Sequence, residues 1–240
     1  NYLRWYYAPN TIPTTRLNVA KQALRELVRT TPAVDFGLAV FNYNDSSGRD
    51  GGRIIRSIIG NDAILSGGKT GAQDIIDKAN SLSSDTWTPL CETMYEAYRY
   101  FGGGDVYFGD DDSNRNPKRD PNAEVSPGKY KSPYDKCSNN GYVIYMTDGA
   151  PTYDSAADNL VKGLLNGSTD PNKPSYSGTV GYGSAYNKEQ SYLAALAGYM
   201  KNNDVNTSAT GKQTVTTFTV GFGDEAITGA GTLLAETARR

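Results

Sequence analysis

Two side chains in this sequence have the chemistry and the setting to hold a hard cation. Thr88 stands in "TWTPLCETMYEA", just before Pro89 and a helical pattern. Asp148 stands in "GYVIYMTDGAPTYD", where an apolar run gives way to Asp148-Gly149. Mg²⁺ and Ca²⁺ take oxygen ligands, chiefly carboxylates, hydroxyls and waters. A carboxylate at the tip of a buried strand costs free energy unless something pairs with it. Each residue also has a plainer reading. Asp-Gly is a common way for a chain to turn. A threonine before a helix is ordinarily its N-cap, with Pro89 at the first helical position. A cap and a cation-facing hydroxyl are compatible.

A second acidic stretch, "GDDDSNRNPKRD", gives Asp110, Asp112 and Asn114 the alternating spacing of a calcium loop. Such a loop needs glycine at its sixth position and glutamate at its twelfth. Here those positions hold Arg115 and Pro121, so the stretch reads as a solvated loop. The chain contains no histidine. That excludes imidazole bases, Ser-His and Cys-His dyads and histidine-ligated zinc. The Asp-x-Asp-x-Thr signature of acidic phosphotransferases is also missing, and the expectation is a protein that is not an enzyme. Net charge is −2 with scattered basic residues, which gives no electrostatic footprint for nucleic acid. No apolar run is long enough to span a bilayer. The two cysteines, Cys91 and Cys137, lie outside any CxxC motif. They could pair in an oxidising compartment and would be free in a reducing one, and the spacing alone favours neither.

The elements that must position these groups follow from periodicity. Residues 15–29 carry Leu17, Ala20, Leu24, Leu27 and Val28 at helical spacing, with Thr14 or Thr15 as cap. "VDFGLAVFNY" (34–43) reads as a strand, and "GGRIIRSIIG" as a second, shorter one that forms a hairpin edge with it. Residues 72–82 suit a short amphipathic helix, and a helix runs from Pro89 to about Phe101. The segment 102–140 is rich in Gly, Asp, Asn, Pro, Ser and Lys, and reads as a polar insertion outside the core. "YVIYMT" resembles a central parallel strand buried on both faces. A helix over 155–165, a polar segment over 166–185, a helix over 188–201, a strand over 213–221 and a final helix over 231–238 complete the chain. Alternating strands and helices predict an α/β fold with a largely parallel sheet and helices on both faces. Ligands bind such sheets at the carboxyl ends of the strands, where Asp148 lies.

Taken together, "TWTPLCETMYEA", "VIYMTDGAPT" and "TFTVGFGDE" resemble the von Willebrand factor A fold. The ordered set "NYLRWYY", "TTRLNVAKQAL", "FGLAVFNYN", "GGRI", "TPLCETMYEAYRYF", "CSNNGYVIYMTDGAPTYD" and "TFTVGFG" is similar to the N-terminal von Willebrand A domain of the PilC/PilY family of type IV pilus-associated proteins. The resemblance covers most of the chain outside the two polar segments. It implies a three-layer sandwich with a mostly parallel central sheet, as one domain spanning 1–240 and truncated at both ends. The family's metal-ion-dependent adhesion site uses three loops. Thr88 matches the second and Asp148 the third.

The first loop, Asp-x-Ser-x-Ser, has no counterpart here. "DDSNR" at Asp111 ends in arginine, and "DSSG" at Asp45 has the wrong spacing. The resemblance therefore puts the first strand and its motif upstream of Asn1. It implies a Mg²⁺ or Ca²⁺ ion held by Thr88 and Asp148, with Asp85 and Asp154 holding metal-bound waters. It also implies export to the pilus tip, cell surface or outer membrane of a Gram-negative bacterium. The implied partners are minor pilins and a host-cell receptor or surface ligand. Export makes a Cys91–Cys137 disulfide the expectation. The aromatic group Tyr2, Trp5, Tyr6 and Tyr7 reads as a segment packed against the sheet.

Overall fold

Helix α1 (Arg16–Thr30) starts where the sequence places its cap: Asn18 N–H donates to Thr15 Oγ1 at 3.2 Å. The computed structural model to which it belongs describes residues 14–43, 51–84, 86–110, 116–134, 140–184 and 188–240. Strands β1 (Phe36–Phe41) and β2 (Gly52–Ile59) form the expected antiparallel hairpin. The second strand is the longer of the two, against expectation, because Gly52 to Ser57 are buried and gain from continuing under the helix that carries Thr93. Gly52 allows that approach, since a Cβ there would fall 2.5 Å from Thr93. Helix α2 (Gly71–Asn80) is capped by Thr70, and Asp74 pairs with the buried Arg56 of β2 at 2.6 Å.

Helix α3 (Leu90–Gly102) is buried on nearly every side and ends in a left-handed glycine, Gly103. A helix with so little polar surface belongs at the centre of the protein. The segment 102–140 departs from its reading as a polar insertion. It contains single turns at Phe108–Asp110 and Pro121–Ala123 and a small hairpin, β3 (Glu124–Ser126) with β4 (Lys129–Tyr130). Phe108 is fully buried, and Ala123 and Tyr130 are 1% exposed. Composition misled because a few well-placed apolar residues anchor a polar segment. Glu96 of α3 holds it, accepting hydrogen bonds from Tyr130 Oη (2.5 Å) and the Phe108 N–H (2.8 Å).

Strand β5 (Asn140–Thr147) pairs in parallel with β8 (Thr214–Gly221), in register from Asn140 opposite Thr214 to Thr147 opposite Gly221. Between them lie α4 (Asp158–Gly167), the antiparallel pair β6 (Val180–Gly183) and β7 (Lys188–Ser191), and α5 (Leu193–Asn202). The helix expected over 188–201 therefore begins five residues later, since 188–191 pair with β6. Helix α6 (Asp224–Arg239) is twice the expected length. The architecture is mixed α/β. Among the described residues the strands form four two-stranded units, of which β5/β8 is the parallel one.

The main core joins α3, α5, α6 and one face of β5/β8 through Leu90, Met94, Leu193, Leu196, Met200 and Leu233. A second cluster gathers Ile54, Tyr100, Val106, Ala123 and Tyr130. A third, Val28, Ile75 and Ile76, seats α1 on α2. Strand β5 corrects its sequence reading: Gly141, Tyr145 and Thr147 face the core, while Tyr142 and Ile144 are exposed.

Candidate functional site

Strand β5 ends at Thr147, and the chain turns at once. Gly149 N–H donates to Thr147 Oγ1 at 3.3 Å, and Phe222 N–H donates to the Thr147 carbonyl at 3.1 Å. The ends of β5 and β8 are thus bound together, and Asp148 projects from that edge with its side chain 48% exposed. It has a partner. Arg16, the first residue of α1, brings Nη1 to 3.5 Å from Asp148 Oδ2, 3.3 Å from the Asp148 carbonyl and 2.8 Å from Glu225 Oε2. Three oxygens, two from the turn after β5 and one from the first turn of α6, therefore converge on one guanidinium nitrogen. Glu225 foremost, and Asp148 after it, hold Arg16 above its ordinary pKa. All three side chains are open to solvent, so these ion pairs orient more than they stabilise. Arg16 and Glu225 were not singled out in the sequence. Their only signal was position: an arginine directly after a helix cap, and an acidic pair directly after "GFG".

Thr88 lies on the neighbouring loop, partly exposed. The Thr152 N–H donates to the Thr88 carbonyl at 3.1 Å, which ties this loop to the one that follows Asp148. Thr88 does not cap α3 as expected. The helix begins at Leu90 with Pro89 in the cap position, and no side chain of that position caps it. Proline's fixed φ and the bond from Leu90 N–H to the Thr88 carbonyl (3.0 Å) move the helix start along by one residue.

The cap comes instead from Asp154. Cys91 N–H, one of the free donors at the start of α3, gives its hydrogen bond to Asp154 Oδ1 at 2.6 Å. Ser191 Oγ donates to Asp154 Oδ2 at 3.0 Å. Asp154 is 3% exposed and Glu92 beside it is fully buried, with Glu92 Oε1 accepting from the Ala156 N–H at 2.7 Å. Burial first, and the Glu92 charge second, push the Asp154 carboxyl well above the usual range. The expected role for Asp154, holding metal-bound water, is therefore replaced by a structural one: it fastens α3 to β7 in the dry interior. Asp85, its expected companion, lies outside the described residues.

Beside Thr88, Trp87 meets Tyr153 edge to face at 5.5 Å, and both rings are about half exposed. Tyr153 has φ +55°, a conformation that L side chains with Cβ atoms seldom adopt. Cys91 is fully buried, and burial, then Asp154, raise its thiol pKa far above normal, which leaves it unreactive. Its expected partner Cys137 lies outside the described residues, as do Asp112, Asn114 and Arg115 of the calcium-like stretch. Asp110 is spoken for by Arg119. At the other end of α3, Tyr98, Arg99, Tyr199 and Asp204 line a small cleft of about 190 Å³, below the usual size of a small-molecule site.

Thr88 and Asp148 are hard oxygen donors of the kind Mg²⁺ and Ca²⁺ use, so the residues fit such an ion in kind. They fall short in number. Among the described residues no group of three or more His, Cys, Asp or Glu side chains is arranged to hold a metal ion. Among them, too, no helix is long and apolar enough to cross a membrane. Compared with known protein families, curated proteins and solved structures, the chain matches none.

Proposed function

We propose that this chain is a von Willebrand A-type domain of a PilC/PilY-like pilus-tip adhesin. In this reading it is exported to the pilus tip, cell surface or outer membrane, and supports adhesion, pilus assembly and twitching motility. Its partners are minor pilins and a receptor or surface ligand, and it performs no catalysis. The observation that carries the reading is the edge itself. Asp148 stands half exposed at the carboxyl end of a parallel strand pair, and the Thr88 loop is hydrogen-bonded to the loop that follows it. Open α/β sheets take ligands at that end.

A bound Mg²⁺ or Ca²⁺ would give the edge a positive centre able to accept a carboxylate from a partner. The chain's own residues prepare the place. Asp148 and Thr88 present oxygens, and Arg16, which pairs with Asp148, would have to give way to a metal ion there. Asp154 and Ser191 hold the Thr88 helix at a fixed position from beneath.

That Arg16 contact also favours a second reading, in which the edge is a mechanical or structural module regulating pilus extension and its cation is the guanidinium. Asp148→Ala in the complete protein separates the two. The adhesion reading expects loss of Mg²⁺ or Ca²⁺ binding by calorimetry and loss of adhesion to a surface. Both unchanged would leave the structural module.

A further inference from the structure

The place where Arg16 meets the strand edge has the shape of a guanidinium. A Cβ set on Gly223 would lie 3.2 Å from Arg16 Nε, 3.3 Å from Cζ and 3.6 Å from Nη2. Three atoms of the group lie at nearly one distance from one point, so its flat face covers the glycine. Gly223 has φ +88°, a conformation that a side chain would strain. Its bare backbone leaves room for the plane, while Nη1 reaches Glu225 Oε2 at 2.8 Å, the Asp148 carbonyl at 3.3 Å and Asp148 Oδ2 at 3.5 Å. A lysine ammonium has no plane to lay there.

The hold is also releasable. The Arg16 and Glu225 side chains are 46% and 72% exposed, so water replaces these contacts at small cost. The rest of α1 is held on the side of α2. Val28 packs with Ile75 and Ile76, Lys21 Nζ donates to the Asn80 and Leu82 carbonyls at 3.0 and 2.6 Å, and Arg25 Nη2 donates to Asn80 Oδ1 at 3.1 Å. Arg16 can therefore leave the edge while the helix stays seated.

We propose that Arg16 decides which cation the edge holds. Seated, its guanidinium keeps a divalent ion from Asp148, and binding of Mg²⁺ or Ca²⁺ requires Arg16 to swing out and the first turn of α1 to loosen. This rests on the adhesion reading, in which Asp148 meets such an ion, and adds a latch to it. The two cations compete for the same carboxylate. A guanidinium about 5 Å from a divalent ion opposes it by a repulsion worth roughly tenfold in affinity at low ionic strength.

Calorimetric titration of the complete protein with CaCl₂ and with MgCl₂ at low ionic strength compares the parent with Arg16→Gln. Asp148→Ala serves as the blank, and binding that survives it is subtracted. Arg16→Gln is expected to tighten the remaining binding by roughly tenfold. The first turn of α1 gives a second readout through the Val19 N–H, which donates to the Thr15 carbonyl at 3.1 Å. Its amide exchange is expected to quicken when the ion saturates the parent, and to be fast and indifferent to the ion in Arg16→Gln. Arg16 is nearly half exposed, so the fold is retained, which far-UV circular dichroism checks. Equal affinities overturn the latch and leave the adhesion reading standing. Weaker binding by Arg16→Gln overturns it too, since Arg16 would then support the ion. Binding by neither protein beyond the blank overturns both the latch and the cation reading.

Discussion

Asp154 carries its carboxyl group where water does not reach, and this has a measurable consequence. An unfolded aspartate titrates near 3.9. Burial, then the Glu92 charge, hold the folded group well above that, with Asp158 adding to the effect. Between the two values the folded protein binds more protons than the unfolded chain, so stability falls as pH rises from about 4 until the folded group ionises. Asp154→Asn keeps an oxygen for the Cys91 N–H and a polar contact to Ser191 without the charge. It is expected to flatten this slope, and to raise the melting temperature at pH 8 relative to the parent more than at pH 4. Asp154→Ala leaves a helix-start N–H unpaired in the interior and is expected to cost about 1–3 kcal/mol in denaturant unfolding. The same residue shows where the sequence was opaque. "TDGAPTYD" announces two aspartates near a strand end, and nothing in the spacing says that Asp148 stays at the surface while Asp154 turns inward. The inward turn depends on Ser191 and Cys91, 37 and 63 residues away in sequence.

At the scale of elements, local signals were read well and long-range ones poorly. The α1 helix with its Thr15 cap, the β1/β2 hairpin and the β8 strand follow from periodicity and turn chemistry, which are properties of neighbouring residues. The start of α3 shifted because the fixed φ of Pro89 and the Leu90 N–H bond to the Thr88 carbonyl set it, and a side chain from another loop, Asp154, meets the free donor at Cys91. The β6/β7 pair was missed because 188–191 is a polar strand whose apolar signal is weak. The segment 102–140 was misread because its few anchors, Phe108, Ala123 and Tyr130, are diluted by polar residues. Tyr130→Phe tests whether those anchors matter. It keeps the ring in its cluster and deletes the 2.5 Å hydrogen bond to Glu96, a carboxylate that burial already pushes above its ordinary pKa. A loss of about 1.5–3 kcal/mol is expected, the range for a hydrogen bond to a charged group. Amide exchange should quicken through β3 and β4. A substitution without effect on stability would return the segment to the status of a surface loop.

For the whole molecule, α3 is the element through which the parts are joined. Leu90, Met94, Tyr95 and Phe101 enter the main core with α5, α6 and β5/β8, while Tyr100 enters the cluster that holds β2 and the 102–140 segment. Tyr100 Oη also accepts from the Ile58 N–H of β2 at 2.8 Å, and Tyr145 Oη of β5 donates to the Leu90 carbonyl at 2.7 Å. One helix therefore receives both the hairpin half and the parallel-strand half, and neither half buries its α3-facing side without it. Met94 is fully buried at this junction. Met94→Ala is expected to destabilise the protein by about 2–5 kcal/mol, the usual cost of such a truncation with its cavity. The distribution of that loss is the informative part. If α3 couples the halves into one cooperative unit, the slowest-exchanging amides of β2 and of β8 lose protection by the same free energy, and fluorescence and circular dichroism report one melting temperature. Loss confined to β8, with β2 unchanged, would mean that the hairpin half stands on its own and that the clusters meet at α3 without sharing their stability.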